Sequence, residues 1–209
     1  MPYVIGFDFE AAGGIPALHG FTQLGAVLVD MDTDKVMGEF NMFSSMKNLV
    51  WEKRCVKEFW EKNPEKYKET LKGTSEAKMG PYEVVDAFVQ WVQRVSKGLN
   101  DVYLLTDNAA FDAAILRFYS IKQDILYIFG SYRPIVESSR FYSGLARKPV
   151  TTESLWESSK DNALKGMRAD GLKVPSFPIH SVEHDHNPVN DALVMALNWS
   201  HMQRSLKMM

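Results

Sequence analysis

Three short apolar segments near the start of this 209-residue chain constrain its fold more than any other feature. Tyr3–Glu10 is rich in Phe, Val and Ile, and Thr22–Met31 is a second apolar run, so both are predicted to be strands. Turn-forming residues occupy Asp32–Lys35, after which Val36–Phe43 continues as a third strand. Because consecutive strands joined by short turns usually pair with each other, we predict an antiparallel meander.

The remainder of the chain predicts helices, followed by an alternation of strands and helices. Asn63 is placed to cap a helix whose first turn contains Pro64. Hydrophobic spacing and capping residues predict helices at Trp51–Lys62, Pro64–Lys72, from Pro81 to a cap at Gly98, Ala109–Tyr119 and Asn187–Leu206. Further strands are predicted at Val102–Thr106 and Ile125–Phe129, whereas residues 147–184 give only a weak helical signal.

This order of elements predicts an α/β protein with a mixed central sheet flanked by helices. Hydrophobic residues make up 45% of the chain, and no linker or repeat divides it, so we predict a single domain over residues 1–209. No stretch approaches the roughly 18 consecutive apolar residues of a membrane span. Acids stand at the start where a signal peptide has basic residues, so we expect a soluble cytoplasmic protein with no membrane partner.

The composition excludes some classes of protein but does not decide whether the chain binds nucleic acid. Cys55 is the only cysteine, which excludes an internal disulfide and a cysteine-based zinc cluster and favours a small buried or half-buried side chain. The formal net charge of −2 is unusual for a nucleic-acid binder, but bound divalent cations would make a site locally positive. The Lys- and Arg-rich segment Lys47–Lys78 fits a solvated helical face and a phosphate-facing surface equally well.

Two acids lie close together on the first predicted strand. Asp8 and Glu10 are two residues apart, so their side chains leave the same face of the sheet. Two carboxylates on one face of an apolar strand are costly unless something pairs with them, and a divalent cation is a natural partner. Such tripeptides are common, however, so this pair alone is weak evidence for a metal site.

A second acidic position follows the predicted strand Val102–Thr106. Asp112 would lie at the carboxyl end of that strand, where α/β proteins commonly place their sites. Asp107 competes with it for the same role. Either acid could instead interact with the dipole at a helix N-terminus, and for Asp107 we favour that structural role.

The start of the last predicted helix provides a third element. Asn187 suits an N-cap and Pro188 suits the first helical position. His186 and Asp191 then occupy the two positions that meet in a hydrophobic staple. This pair is either a surface ion pair or a base beside a metal ligand. Together with the other acids it would suit phosphodiester hydrolysis with two Mg²⁺ or Mn²⁺ ions, the histidine taking the proton of the attacking water.

These motifs resemble, in the same order, those of the DEDDh exonucleases. The matching segments are Ile5–Glu10 with Gln23–Val27 on the second strand, Asn108–Asp112, and His186 with Asp191 five residues later. Asn187 stands where the related tyrosine subgroup has its tyrosine. The resemblance spans nearly the whole chain and implies a ribonuclease H-like fold, with three antiparallel and two parallel strands. It also implies 3′→5′ hydrolysis of single-stranded DNA or RNA to 5′-mononucleotides.

The resemblance also implies a role for each residue of the site. Asp8 would bridge two divalent cations, Glu10 and Asp191 would hold the cation that activates water, and Asp112 would support the second. His186 would be the general base. The substrate-binding residues would be Asn108 and Phe111 beside the terminal nucleotides, together with Ala11. At Ala11 many relatives have Thr or Met, so the grip on the terminal sugar is expected to differ, and Asp107 stands where the bacterial proofreading relative has a histidine.

Within that family, Val56–Trp60 followed by Pro64 is similar to a helix of the phage exonuclease A branch, whose relatives include bacterial exoribonucleases. This similarity favours DNA slightly and would place a phage-encoded chain in the host cytoplasm. Phe59 and Trp60 could stack on bases, although core packing is the preferred interpretation. Alternatives are an exoribonuclease, a non-catalytic nucleic-acid-binding module, and an RNase H-type endonuclease, which the histidine spacing disfavours. The oligomeric state stays open, with a homodimer as one option.

Overall fold

Five strands form one mixed sheet in the computed structural model, which describes residues 3–99, 102–120, 135–137 and 186–207. In spatial order they are β3 (Lys35–Phe43), β2 (Phe21–Asp30), β1 (Tyr3–Ala11), β4 (Val102–Thr106) and β5 (Val136–Glu137). The first three pair antiparallel, and β4 pairs parallel with both β1 and β5. The predicted meander and mixed sheet are therefore confirmed, while the predicted strand Ile125–Phe129 lies outside the described residues.

Apart from a short first helix that was not predicted, the described helices follow the predicted order, with shifted boundaries. They are α1 (Pro16–His19), α2 (Lys53–Glu58), α3 (Pro64–Glu76), α4 (Pro81–Val95), α5 (Ala114–Tyr119) and α6 (Pro188–Lys207). A 3₁₀ turn spans Trp60–Lys62, and a π-helical turn spans Ala109–Ala113. Residues 147–184, where only a weak helical signal was predicted, lie outside the described part of the chain. No helix among the described residues is long and apolar enough to cross a membrane.

The single helix predicted over Trp51–Lys62 is wrong in detail. Phe59 leaves the helical conformation at φ −121°, which separates α2 from the 3₁₀ turn. Asn63 precedes α3, but its side chain does not cap that helix, because its Nδ2 donates instead to the Phe59 carbonyl at 3.0 Å. Similarly, Gly98 does have the expected left-handed conformation at φ +81°, but α4 has already ended at Val95, with Ser96 as its C-cap. The competing hydrogen bonds and backbone angles at these ends depend on local contacts that spacing alone does not determine.

Successive side chains of β1 point to opposite faces of the sheet and so enter two different layers of the core. Ile5, Phe7 and Phe9 face α4 and α5, where the apolar side of α4 packs against the sheet. Val4 faces the opposite side, in the cluster that contains the buried residues of α6. Because side chains alternate, Gly6, Asp8 and Glu10 share the α6 side of the strand. The acids of β1 therefore point toward the helix that carries Asp191.

Two glycines let α6 approach the sheet closely. A Cβ atom at Gly6 would lie 2.4 Å from the Ala192 carbonyl oxygen, and one at Gly25 would lie 2.3 Å from the nitrogen of Val189. Gly25 is also the ladder partner of Asp8. The first turn of α6 is thus seated directly against β1 and β2, on the face of the sheet that carries Asp8 and Glu10.

The far end of α6 is held by the turn between β2 and β3. Arg204 pairs with the Asp34 carboxylate, with Nη1 to Oδ1 at 2.7 Å, and the Ser200 hydroxyl donates to the Met31 carbonyl at 2.9 Å. Asp34 has φ +57°, a left-handed conformation that Asp tolerates better than most residues. Both ends of α6 are therefore fixed relative to the sheet.

Candidate active site

Carboxylates from three distant parts of the chain converge beside β1. Oxygens of Asp8, Glu10 and Asp191 all lie within 4.8 Å of one another, and so do those of Asp8, Asp107 and Asp112. Asp8 belongs to both groups, which we call the Glu10 group and the Asp112 group. The four acids singled out in the sequence are thus brought together, and a fifth, Asp107, joins them.

Asp112 is oriented by two hydrogen bonds from the sheet. It is 1% exposed, its Oδ1 accepts from the Phe9 amide at 3.3 Å, and its Oδ2 accepts from the Thr106 hydroxyl at 2.5 Å. The helix predicted over Ala109–Tyr119 begins instead as a π-helical turn. Such turns widen the helix locally and occur often at functional sites. The wider turn and the two donors together bring the Asp112 side chain to the end of β1.

The start of α6 forms as the sequence predicts. The Asn187 side chain accepts from the Val189 amide at 3.1 Å, which is the expected capping bond. His186 precedes it with φ +54°, and its imidazole lies edge to face with the Phe59 ring, the centroids 4.6 Å apart. His186 and Asp191 both line the same cavity as the other acids.

That cavity has a volume of about 670 Å³ and an acidic wall. Besides His186 and the four predicted acids, it is lined by the predicted substrate-binding residues Ala11, Asn108 and Phe111. Among its described lining residues, seven are carboxylates and only Arg54 is a Lys or Arg. Arg54 lies 4.0 Å from Glu52 and 3.8 Å from Glu58. The five other carboxylates are those of the Glu10 and Asp112 groups.

Burial and mutual repulsion disfavour the ionised form of these acids. Burial, followed by the charges of Asp112 and Glu10, raises the pKa of Asp8 well above its usual range. Burial and the charge of Asp107 likewise raise the pKa of Asp112, against the opposing hydrogen bond from Thr106. Bound divalent cations would reverse this balance by favouring the ionised carboxylates. The donor set, carboxylate oxygens alone, fits hard cations such as Mg²⁺ and Mn²⁺.

Three residues for which the sequence favoured a structural role lie in or beside the cavity. Asp107, assigned a structural role, lies in the Asp112 group; its position directly after β4 is the signal that could have revealed it. Trp60 is fully buried and donates from Nε1 to the Ala11 carbonyl at 3.2 Å, which agrees with core packing. Phe59, by contrast, lines the cavity against His186. Cys55 is half-buried in the same wall, in agreement with its predicted character.

Comparison with known proteins finds matches in structure but none in sequence. No protein-family model and no curated protein sequence matches the chain significantly. Solved structures do match over nearly its full length. The nuclease domain of 3′hExo, a DEDDh family member bound to rAMP, superposes with a TM-score of 0.62 at 15% identity, covering 97% of this chain and 92% of that one. The chain has a ribonuclease H-like exonuclease fold.

Other structures with this fold are larger. Cell-death related nuclease 4 (CRN-4) matches with a TM-score of 0.59 at 17% identity, over 100% of this chain and 64% of CRN-4. E. coli exonuclease I in its zinc-bound complex with single-stranded DNA matches with a TM-score of 0.63 at 13% identity, over 99% of this chain and 42% of the exonuclease. This chain therefore spans about two thirds of one of these proteins and less than half of the other.

Proposed function

We propose that the chain is a metal-dependent 3′→5′ exonuclease of the DEDDh type, which releases 5′-mononucleotides from single-stranded nucleic acid. One observation carries the proposal: within an exonuclease fold, four carboxylates and a histidine from three distant segments surround one cavity. A chain that had kept only the fold would have no reason to keep so many buried like charges together, because each raises the free energy of the others.

Each side chain has a distinct part in the proposed reaction. Glu10 and Asp191 would hold one divalent cation and Asp112 a second, with Asp8 shared between them. When bound, the two cations supply positive charge at the attacking and leaving oxygens of the phosphodiester. His186 would accept the proton of the attacking water, and the Phe59 ring would restrict the rotation of the imidazole.

The cavity wall also supplies groups for the end of the substrate. Phe111 is partly exposed at the cavity and offers an aromatic face for stacking on a terminal base. Asn108 lies beside it and offers amide donors and acceptors. The Ala11 carbonyl is already occupied by Trp60, so Ala11 would guide the sugar through its backbone position and small side chain.

The proposal also concerns the sugar of the substrate, that is, whether the substrate is DNA or RNA. The chain's similarity to the phage exonuclease branch favours DNA slightly. Among the structural neighbours, exonuclease I is solved with single-stranded DNA, and a 3′-exonuclease is solved in recognition of a histone mRNA stem-loop. An exoribonuclease is therefore the second candidate, and matched DNA and RNA oligonucleotides in Mg²⁺ and in Mn²⁺ would separate the two.

An oligonucleotide with a free 3′ end, compared with one whose 3′ end is chemically blocked, tests the reaction itself. We expect the free oligonucleotide labelled at its 5′ end to shorten stepwise and the blocked one to remain intact. The variant Asp8→Asn, assayed in parallel, controls for contaminating nucleases. Cleavage of the blocked oligonucleotide at internal positions would contradict an exonuclease and favour endonuclease action.

A further inference from the structure

The Asp112 group contains a carboxylate whose role the proposed mechanism leaves open. Asp107 directly follows β4, and its carboxylate lies within 4.8 Å of oxygens of both Asp8 and Asp112. It is partly exposed at the cavity, whereas Asp112 is buried. Its position therefore gives it access both to the cavity and to the acids beneath.

The proximity of Asp107 to Asp112 favours a positive charge between them. Carboxylate oxygens of the two residues lie within 4.8 Å of each other. Two ionised carboxylates at this distance repel each other, so a cation bound between them lowers their free energy. Phe9 and Thr106 already donate to the two oxygens of Asp112, one to each. These two donors orient the Asp112 carboxylate, and each of its oxygens keeps acceptor capacity for a further partner.

The number of carboxylates in each group also favours Asp107 as a ligand. The Glu10 group has three carboxylates, of which Asp8 is shared with the Asp112 group. Without Asp107, the Asp112 group would have only one carboxylate of its own. Divalent Mg²⁺ and Mn²⁺ are usually held by carboxylates together with water and substrate phosphate, and added carboxylate charge strengthens binding.

We infer that Asp107 is a ligand of the second divalent cation, which it would hold together with Asp8 and Asp112. This inference rests on the proposed two-cation function. It gives the two cation positions equal sets of three carboxylates, with Asp8 common to both. The competing role is that of an acid at the start of a helix, interacting with the backbone amides of Ala109–Ala113.

Calorimetric titration of the whole chain with Mn²⁺ alone, without nucleic acid, tests the assignment. We expect wild type to bind two ions and Asp107→Asn to lose at least about tenfold in affinity at one of them, a loss as large as that seen for supporting residues of metal sites. Glu58→Gln is the matched control, because it removes the same charge from the same cavity outside both groups. It should leave both affinities nearly unchanged.

A second variant separates the two roles if Asp107→Asn folds poorly. Asp107→Ser keeps a side chain that favours helix starts but lacks the charge, so only the ligand role predicts weakened Mn²⁺ binding. Thermal unfolding in EDTA adds a readout independent of the metal. The ligand role predicts an unchanged or higher midpoint for both variants, because a like charge is removed.

Three outcomes would overturn the inference. If Asp107→Asn and Asp107→Ser both bound the two Mn²⁺ ions as tightly as wild type, Asp107 would be assigned to the helix start. An equal loss of affinity in Glu58→Gln would attribute the effect to general charge. If wild type itself bound no pair of Mn²⁺ ions, the two-cation function would fail together with the inference.

Discussion

Gly25 and Pro188 lie so close that a Cβ atom on Gly25 would fall 2.3 Å from the Pro188 carbonyl carbon. The first turn of α6 therefore rests on the backbone of β2, beside the ladder partner of Asp8. This contact between two backbones seats the helix that carries Asp191 beside the strand that carries Asp8.

Gly25→Ala should displace the start of α6 and separate its acid from those of β1. We expect a loss of about 1–3 kcal/mol in the free energy of unfolding, as for other overpacked sites, together with weaker Mn²⁺ binding. Urea denaturation and calorimetry measure the two effects. Gly38→Ala is the control, since its Cβ would meet Val95 at an ordinary 3.5 Å. Equal effects of the two substitutions would contradict the role of the close approach.

Asp8→Asn should abolish cleavage while the fold remains intact. Asp8 belongs to both carboxylate groups, so its loss affects both cation positions, and it also relieves repulsion among the buried acids. We therefore expect no cleavage in Mg²⁺ and a thermal midpoint in EDTA that is equal to or above that of wild type. Glu39→Gln, an exposed acid on β3, should leave cleavage unchanged. Near wild-type cleavage by Asp8→Asn would show that the site is misassigned.

His186→Ala should slow the reaction far more than it weakens cation binding. Loss of a general base typically lowers a rate by about 10²–10⁴-fold. Single-turnover rates would measure this loss, and Mn²⁺ calorimetry would measure binding. Phe59→Leu provides a graded comparison, because it removes only the ring that packs against the imidazole, and its effect should be smaller. A complete loss of Mn²⁺ binding in His186→Ala would assign the histidine to the metal rather than to the proton.

Without metal, the contribution of Asp8 and Asp112 to the stability of the fold should decrease as the pH rises from about 4, the ordinary pKa of an aspartate. The pKa values of Asp8 and Asp112 are raised in the folded chain, so the folded state keeps protons that the unfolded state has released. Stability from these groups is present below their unfolded pKa and is lost as the pH rises through the folded pKa. Chemical denaturation in EDTA across this range should show the decrease.

Two comparisons test the origin of that decrease. Saturating Mg²⁺ should remove it, because the cations stabilise the ionised carboxylates. Asp8→Asn should make it shallower, because one of the two raised groups no longer titrates. A decrease that is identical in wild type and in this variant, with or without Mg²⁺, would trace it to other acids of the chain.

The sequence predicted those parts of the site that local pattern determines. Alternation on β1 placed Asp8 and Glu10 on one face, and the capping residues at Asn187 and Pro188 located the start of α6. These features depend on neighbours only a few residues apart. They could therefore be inferred before any tertiary contact was known.

Features that depend on contacts between distant segments were beyond the sequence. The π-helical turn at Ala109–Ala113 accompanies hydrogen bonds from Phe9 and Thr106 to Asp112. Phe9 and Asp112 are 103 residues apart in the sequence. The break at Phe59 likewise occurs where its ring meets His186. The approach of Asp107 to Asp8 depends on the parallel pairing of β4 with β1, which joins distant segments of the chain.

The pairing of Arg204 with Asp34 has a consequence for how substitutions far from the cavity would act. At 1.5 Å per residue, this pair lies about 20 Å along α6 from Asp191. A change in the hairpin between β2 and β3 would alter the tilt of the whole helix, and the tilt would move a carboxylate at its opposite end. On the proposed function, substitutions in that distant hairpin would change the affinity for metal while every ligand stays the same.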